Sequence, residues 1–219
     1  MPIKRVVAVG CSWTYGAELP EQQRLQKSYP GLVADHYGLE LENCGYPGAS
    51  LESMRWLLHW HLQNDNQQDT LWLVGLTEST RKSWYNAIES DADYDFNFNQ
   101  PERPWNQHVH NVWLKTDNST INPTWYELNK LWTANSFDTR WAEHNHWETV
   151  RLFSTLPNVV QFNCLINPYK NANVITNDGS FREMLEPKHL FPGKHPNQTG
   201  HEIISKYLIS YIDRVSILT

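Results

Sequence analysis

Cysteine is scarce: Cys11, Cys44 and Cys164 are the only three in 219 residues. An odd, sparse set without a C-x-x-C pair excludes a disulfide framework and reads as free thiols in a reducing compartment. Basic charge is short as well, with 18 Lys and Arg against 24 Asp and Glu and a net charge of −6. That balance argues against a nucleic-acid partner, which a basic face would normally announce. No apolar stretch approaches the ~20 residues that span a bilayer, and the run in MPIKRVVAVG is too short for the apolar core of a signal peptide. The expectation is a soluble, cytoplasmic protein with no membrane or nucleic-acid partner.

Tryptophan, by contrast, is abundant. Eleven occur in a chain whose mean hydropathy is only −0.62. Many lie among polar residues between 84 and 147, a pattern expected of an aromatic-rich accessory layer. At this length the chain fits one domain, 1–219, able to bury roughly 70% of its unfolded surface.

Four short apolar runs predict strands at 3–9, 39–44, 70–75 and 158–165. The first, Val6-Val7-Ala8-Val9, is β-branched and ends at Gly10, as expected of a strand covered on both faces. Helical patterns separate the runs. Residues 21–37 carry apolar positions broken by Pro30, which predicts two pieces. Residues 50–63 place Leu51, Met54, Leu58 and Leu62 on one face behind Ser50 as N-cap. Residues 199–215 align Ile204, Tyr207, Leu208, Tyr211, Ile212 and Val215.

Strands alternating with helices predict a three-layer α/β/α domain on a mostly parallel sheet of four or five strands, flavodoxin-like in layout. Residues 79–157 break the rhythm and are expected to be a Trp-rich, partly helical insertion. Its second half, 125–156, reads as a helical pair broken near NSFD. In such folds ligands gather beyond the carboxyl ends of the strands, which brings the stretches after strands one, two and three to one rim.

Ser12 lies just past the first strand, in GCSWTYG. This is not the G-x-S-x-G elbow, so it is a different strand-to-helix serine. A serine becomes nucleophilic only beside a base and near donors for an oxyanion. Gly48, in the turn after strand two, and Thr77, after strand three, are candidate donors. His195, in PGKHPNQTGHEIIS ahead of the last helix, is the candidate base; His201, inside that helix, is read as structural. Taken singly, Ser12 and His195 are also ordinary cap or turn residues, and Gly48 an ordinary positive-φ glycine. Cys11 is read as a small core residue.

These stretches, in this order, resemble the sequence blocks of the SGNH (GDSL-type) hydrolases. Gly10-Cys11-Ser12 with Thr14 and Gly16 is similar to the first block, with Cys in place of Asp. Asn43 and Gly48 match the second, and Gly75-Leu76-Thr77-Glu78 stands for the third, usually Gly-x-Asn-Asp. Pro192-Gly193-Lys194-His195-Pro196 is the last, where the family has Asp at the position of Pro192. The resemblance implies a serine esterase that needs no cofactor. Ser12 and His195 would be catalytic, and the oxyanion hole would be built from Ser12, Gly48 and Thr77. With no Asp at 192, His195 must be oriented by a backbone carbonyl, by water, or by a carboxylate such as Asp178, Glu183 or Glu186. The expected substrate is a small-molecule or glycan ester, and the aromatic insertion favours a short-chain O-acetyl group on a carbohydrate. A binding module that keeps the scaffold without turnover, and a metal-dependent phosphoesterase, are the rival classes.

Three decoys carry little weight. DADYDFNFNQPE imitates a calcium loop but has Phe96 where glycine is needed. HVH at 108–110 and HNH at 144–146 lack a third ligand at metal spacing, and in a helix i and i+2 do not face each other. No metal is expected from these motifs.

Overall fold

The structure is a computed structural model and describes residues 2–64, 67–79, 81–85, 109–113, 139–165, 169, 173–176 and 179–218. Its centre is a four-stranded sheet of β1 (Arg5–Gly10), β2 (Glu40–Gly45), β3 (Thr70–Leu76) and β6 (Val159–Asn163). The order is β2-β1-β3-β6 and every pairing is parallel. The four predicted strands are therefore present. A single parallel bridge, Gln161 to Val174, extends the β6 edge. Between β3 and β6 stands a separate antiparallel pair, β4 (Arg81–Tyr85) with β5 (Val109–Trp113).

Alternation along each strand fills two cores. Val6, Ala8, Leu71, Leu73, Val160 and Phe162 face one layer, and Val7, Val9, Trp72 and Val74 the other. The first layer is α3 (Tyr29–Tyr37), the single turn α6 (Phe181–Met184) and the C-terminal helix α7 (Gln198–Val215). The second is α4 (Leu51–Asn64) and α5 (Thr139–Phe153). Each fully buried aliphatic side chain stabilises the fold by roughly 1.5–3 kcal/mol. Both faces of the sheet are covered, as parallel sheets require.

Local signals explain the helix ends. The predicted break near Pro30 falls at Ser28, between α2 (Glu21–Lys27) and α3, with the proline in the first turn of α3, where its missing N–H costs nothing. Ser50 caps α4, its hydroxyl accepting from the Ser53 N–H at 3.2 Å. Asn197 caps α7 through the Gly200 N–H at 3.1 Å. Three predicted apolar positions point outward instead: Leu25 in α2, Leu62 near the end of α4 and Val215 at the end of α7 are exposed. Of the expected helical pair, α5 begins directly after NSFD; residues 125–138 lie outside the described residues, as does the calcium-like stretch 91–102. HNH sits within α5 with His144 exposed and His146 buried, on different sides of the helix. The HVH stretch contributes Val109 and His110 to a strand rather than a helix. Arg55 of α4 ties the layer to α5 by donating to the Asn145 carbonyl and side chain at 3.0 and 2.7 Å.

His201 is the structural histidine expected in the last helix. It is fully buried, and its Nδ1 accepts the Tyr29 N–H at 3.1 Å. That N–H is one of the orphan donors in the first turn of α3, so the imidazole caps one helix from another. Burial, helped by nearby His195, lowers its pKa from 6.5 to about 3. The unfolded chain therefore binds a proton below pH 6.5 that the folded chain refuses, and stability must fall as pH drops from 6.5 towards 3. At about 1.4 kcal/mol per pH unit, urea unfolding at pH 4.5 should show a loss of roughly 2–3 kcal/mol from this residue relative to pH 7. His146, lowered to about 4 by burial, adds a loss of the same sign. His201→Gln, which keeps an acceptor without a titrating group, should flatten the slope by about one proton; an unchanged slope would contradict the assignment.

No helix among the described residues is long and apolar enough to cross a membrane.

Candidate active site

Three glycines stand abreast where the central strands end. Gly10 pairs with Gly45 on one side and Gly75 on the other. A Cβ on Gly10 would overlap the Thr14 side chain, and one on Gly45 would overlap the Tyr15 backbone. On Gly75 it would come within 2.6 Å of Cys164 Sγ and 2.9 Å of Thr14 Oγ1. This bare strip is a seat for the short helix α1 (Ser12–Tyr15). Thr14 drops into it and shares a 2.7 Å hydrogen bond with the Tyr29 hydroxyl, while the Asn43 amide donates to the Thr14 carbonyl at 2.9 Å. The Asn43 side-chain oxygen also takes the Gly45 N–H at 2.9 Å. Asn43 thus holds the serine turn onto the end of β2. Cys11 is fully buried, the core residue expected of it.

Ser12 opens α1 and is 8% exposed. Its carbonyl accepts the Gly16 and Ala17 N–H groups at 3.1 and 2.9 Å, folding the following turn back on itself. Gly16 makes the reversal at φ 83, in the left-handed region that suits a residue without Cβ. Glu18 comes next and is itself left-handed, at φ 69. A non-glycine residue held there carries strain, and such strain gathers at functional sites.

Glu18 meets His195. The histidine Nδ1 lies 2.7 Å from Glu18 Oε2, and the Gly193 N–H donates to the other carboxylate oxygen at 3.2 Å. Burial acts to raise the carboxyl pKa. Hydrogen bonds from His195 and Gly193, and the charge His195 can carry, outweigh it and leave Glu18 below the ordinary value. An ionised carboxylate only accepts, so Nδ1 carries the hydrogen and Nε2 is left as a lone-pair acceptor. The turn presenting His195 is tight: Phe191 N–H donates to the His195 carbonyl and Lys194 N–H to the Phe191 carbonyl, both at 2.8 Å. Lys194 is the second left-handed residue at this pair, at φ 66. A Cβ on Gly193 would lie 2.5 Å from Glu18 Oε2, so a side chain there would displace the carboxylate from His195.

The carboxylate that orients His195 is therefore Glu18, 177 positions away in the chain. The carboxylates considered from the sequence do other work. Glu183 takes the Ser180 hydroxyl at 2.8 Å, Glu186 pairs with Lys188 at 2.9 Å, and Asp178 lies outside the described residues. The one signal for Glu18 in the sequence is indirect: with no acid at 192, some other must stand in.

Gly48 sits in the loop between β2 and α4 at φ 81, a left-handed position closed to most side chains. Thr77 follows β3 and is fully buried, and its hydroxyl has no hydrogen-bond partner among the described residues. A buried hydroxyl left unpaired costs about 1–3 kcal/mol.

The sequence matches no family model and no curated protein. Among solved structures it is similar to the psychrotrophic esterase EstA from Pseudoalteromonas sp., with TM-score 0.51 and 11% identity over 96% of this chain and 97% of that one. Lesser likenesses are to a member of the lipolytic protein G-D-S-L family from Veillonella parvula (TM-score 0.49, 10% identity, 96% and 99% covered) and to an acetyl xylan esterase from Geobacillus stearothermophilus (TM-score 0.42, 13% identity, 97% and 97% covered). The chain has the α/β fold that its sequence blocks pointed to, shared with the EstA esterase along nearly the whole length of both.

Proposed function

We propose that the protein is a serine esterase in which Ser12 is the nucleophile, His195 the general base and Glu18 the carboxylate that orients it. The observation that carries this reading is the Glu18–His195 pair at 2.7 Å. The loop that bears the serine also bears the acid, so the imidazole is anchored to the same turn as the hydroxyl it would serve.

In the reaction, His195 Nε2 takes the Ser12 proton as Oγ attacks the ester carbonyl. Glu18 stabilises the imidazolium without itself taking the proton. The negative charge on the carbonyl oxygen is met by the Ser12 and Gly48 N–H groups. His195 then protonates the departing alkoxide, water attacks the acyl-serine with the same base, and Ser12 is restored. These residues complete the cycle without a cofactor. The substrate class is a short-chain ester, with carbohydrate O-acetyl groups favoured by the tryptophan-rich insertion.

EstA is inhibited by monoethylphosphonate, and a phosphonate reagent is a direct test here. A fluorophosphonate probe should label the wild type with one equivalent, on the peptide containing Ser12. A labelled adduct elsewhere, or none, would overturn the assignment and favour a non-catalytic binding module.

A further inference from the structure

On the α4 side of the sheet, away from the serine turn, three donors converge. Glu42 and Cys44 are two apart on the edge strand β2 and so share a face. His61, on α4, meets them there with its ring fully buried. We infer that Glu42, Cys44 and His61 form a binding site for one zinc-class divalent ion.

The spacing carries the argument. Cys44 Sγ lies 3.7 Å from His61 Nε2 and 3.7 Å from Glu42 Oε1, and those two atoms are 3.7 Å from each other. A nitrogen and a carboxylate oxygen that far apart are beyond hydrogen-bond length. An equilateral triangle of this side, however, is one face of a tetrahedron whose centre lies about 2.3 Å from each corner, at the long end of the 2.0–2.3 Å range of zinc bonds to oxygen, nitrogen and sulfur. The three edges are those of a tetrahedron already open at its fourth vertex, where water would bind.

The surroundings fit an ion. Arg5 Nη1 lies 3.4 Å from the other Glu42 oxygen, Oε2, which leaves Oε1 turned towards Cys44 and His61. The His61 ring is wedged edge-on against Trp60 and Trp72, with centroids 4.8 and 5.3 Å away, so the direction of Nε2 is set by packing. Supports of this kind hold ligands in place before the metal arrives. One thiolate and one carboxylate balance a divalent charge, the thiol proton being released to water on binding. Imidazole and thiolate select zinc or a similar transition ion over magnesium or calcium. Glu42 is a quarter exposed, and the ion enters from its side. The ion would tie β2 to α4, the two elements that the loop carrying Gly48 connects.

Cobalt(II) titration of the chelator-stripped protein tests the site without reference to turnover, so its failure and that of the esterase reading are separable. One equivalent should give a thiolate-to-cobalt charge-transfer band with intense tetrahedral d–d bands, displaced by zinc. Cys44→Ser should abolish the charge-transfer band, Glu42→Gln should weaken binding by at least ~10-fold, and Cys164→Ala should leave the spectrum as it is. Zinc should also raise Tm by several degrees in the wild type and not in Cys44→Ser. Cys44 is only half-buried, so this variant avoids the folding risk of changing His61. Absence of the band at stoichiometric cobalt, its survival in Cys44→Ser, or a Tm indifferent to zinc would overturn the inference.

Discussion

Ser12→Ala is expected to lower kcat for p-nitrophenyl acetate by about 10⁴-fold or more, the loss seen when a nucleophile is removed from a hydrolase of this logic. The change removes one oxygen from a nearly buried site, and the turn is held by backbone bonds to the Ser12 carbonyl and by Asn43. Folding should therefore be intact, and a near-ultraviolet circular dichroism spectrum matching the wild type would verify that. The comparison decides between reaction classes. A binding module would show no turnover to lose. A metal-dependent phosphoesterase would be indifferent to the substitution and sensitive to EDTA. Equal turnover in both proteins would remove Ser12 from the chemistry.

Glu18→Gln should cost between about 10² and 10⁴ in kcat, with little change in KM. The substitution keeps size and shape, but an amide can offer its NH2 to Nδ1. That drives the imidazole hydrogen to Nε2, the atom that must accept the serine proton. The loss is thus one of tautomer and charge rather than packing, and Glu18→Asp, which restores the charge on a shorter arm, should recover part of the rate. Kinetics across the three proteins, with fluorophosphonate labelling rates alongside, would measure this. If Glu18→Gln reacts as fast as the wild type, His195 is oriented by some other group.

The parts of the site read from the sequence were those with local signatures. Ser12 follows a β-branched strand and a glycine, and His195 sits before a helix whose apolar stripe is unmistakable. The polar run after β3, with Thr77 in it, contrasts with seven buried strand residues before it. Glu18 escaped because its role depends on a turn, Gly16 in the left-handed region and Glu18 itself at positive φ, that sequence alone does not specify for a glutamate. The row of Gly10, Gly45 and Gly75 was equally hidden. Each is a plain strand-ending glycine until register sets the three side by side.

By itself, the order of residues determined the alternation of strand and helix, the parallel sheet, and the rim on which chemistry would fall, because these follow from periodicity and from turn residues acting over a few positions. Only the tertiary structure decided which acid meets His195 and which three donors surround the point between β2 and α4. Such contacts join segments far apart along the chain, and their geometry is set by strand register and helix packing, which no local pattern encodes.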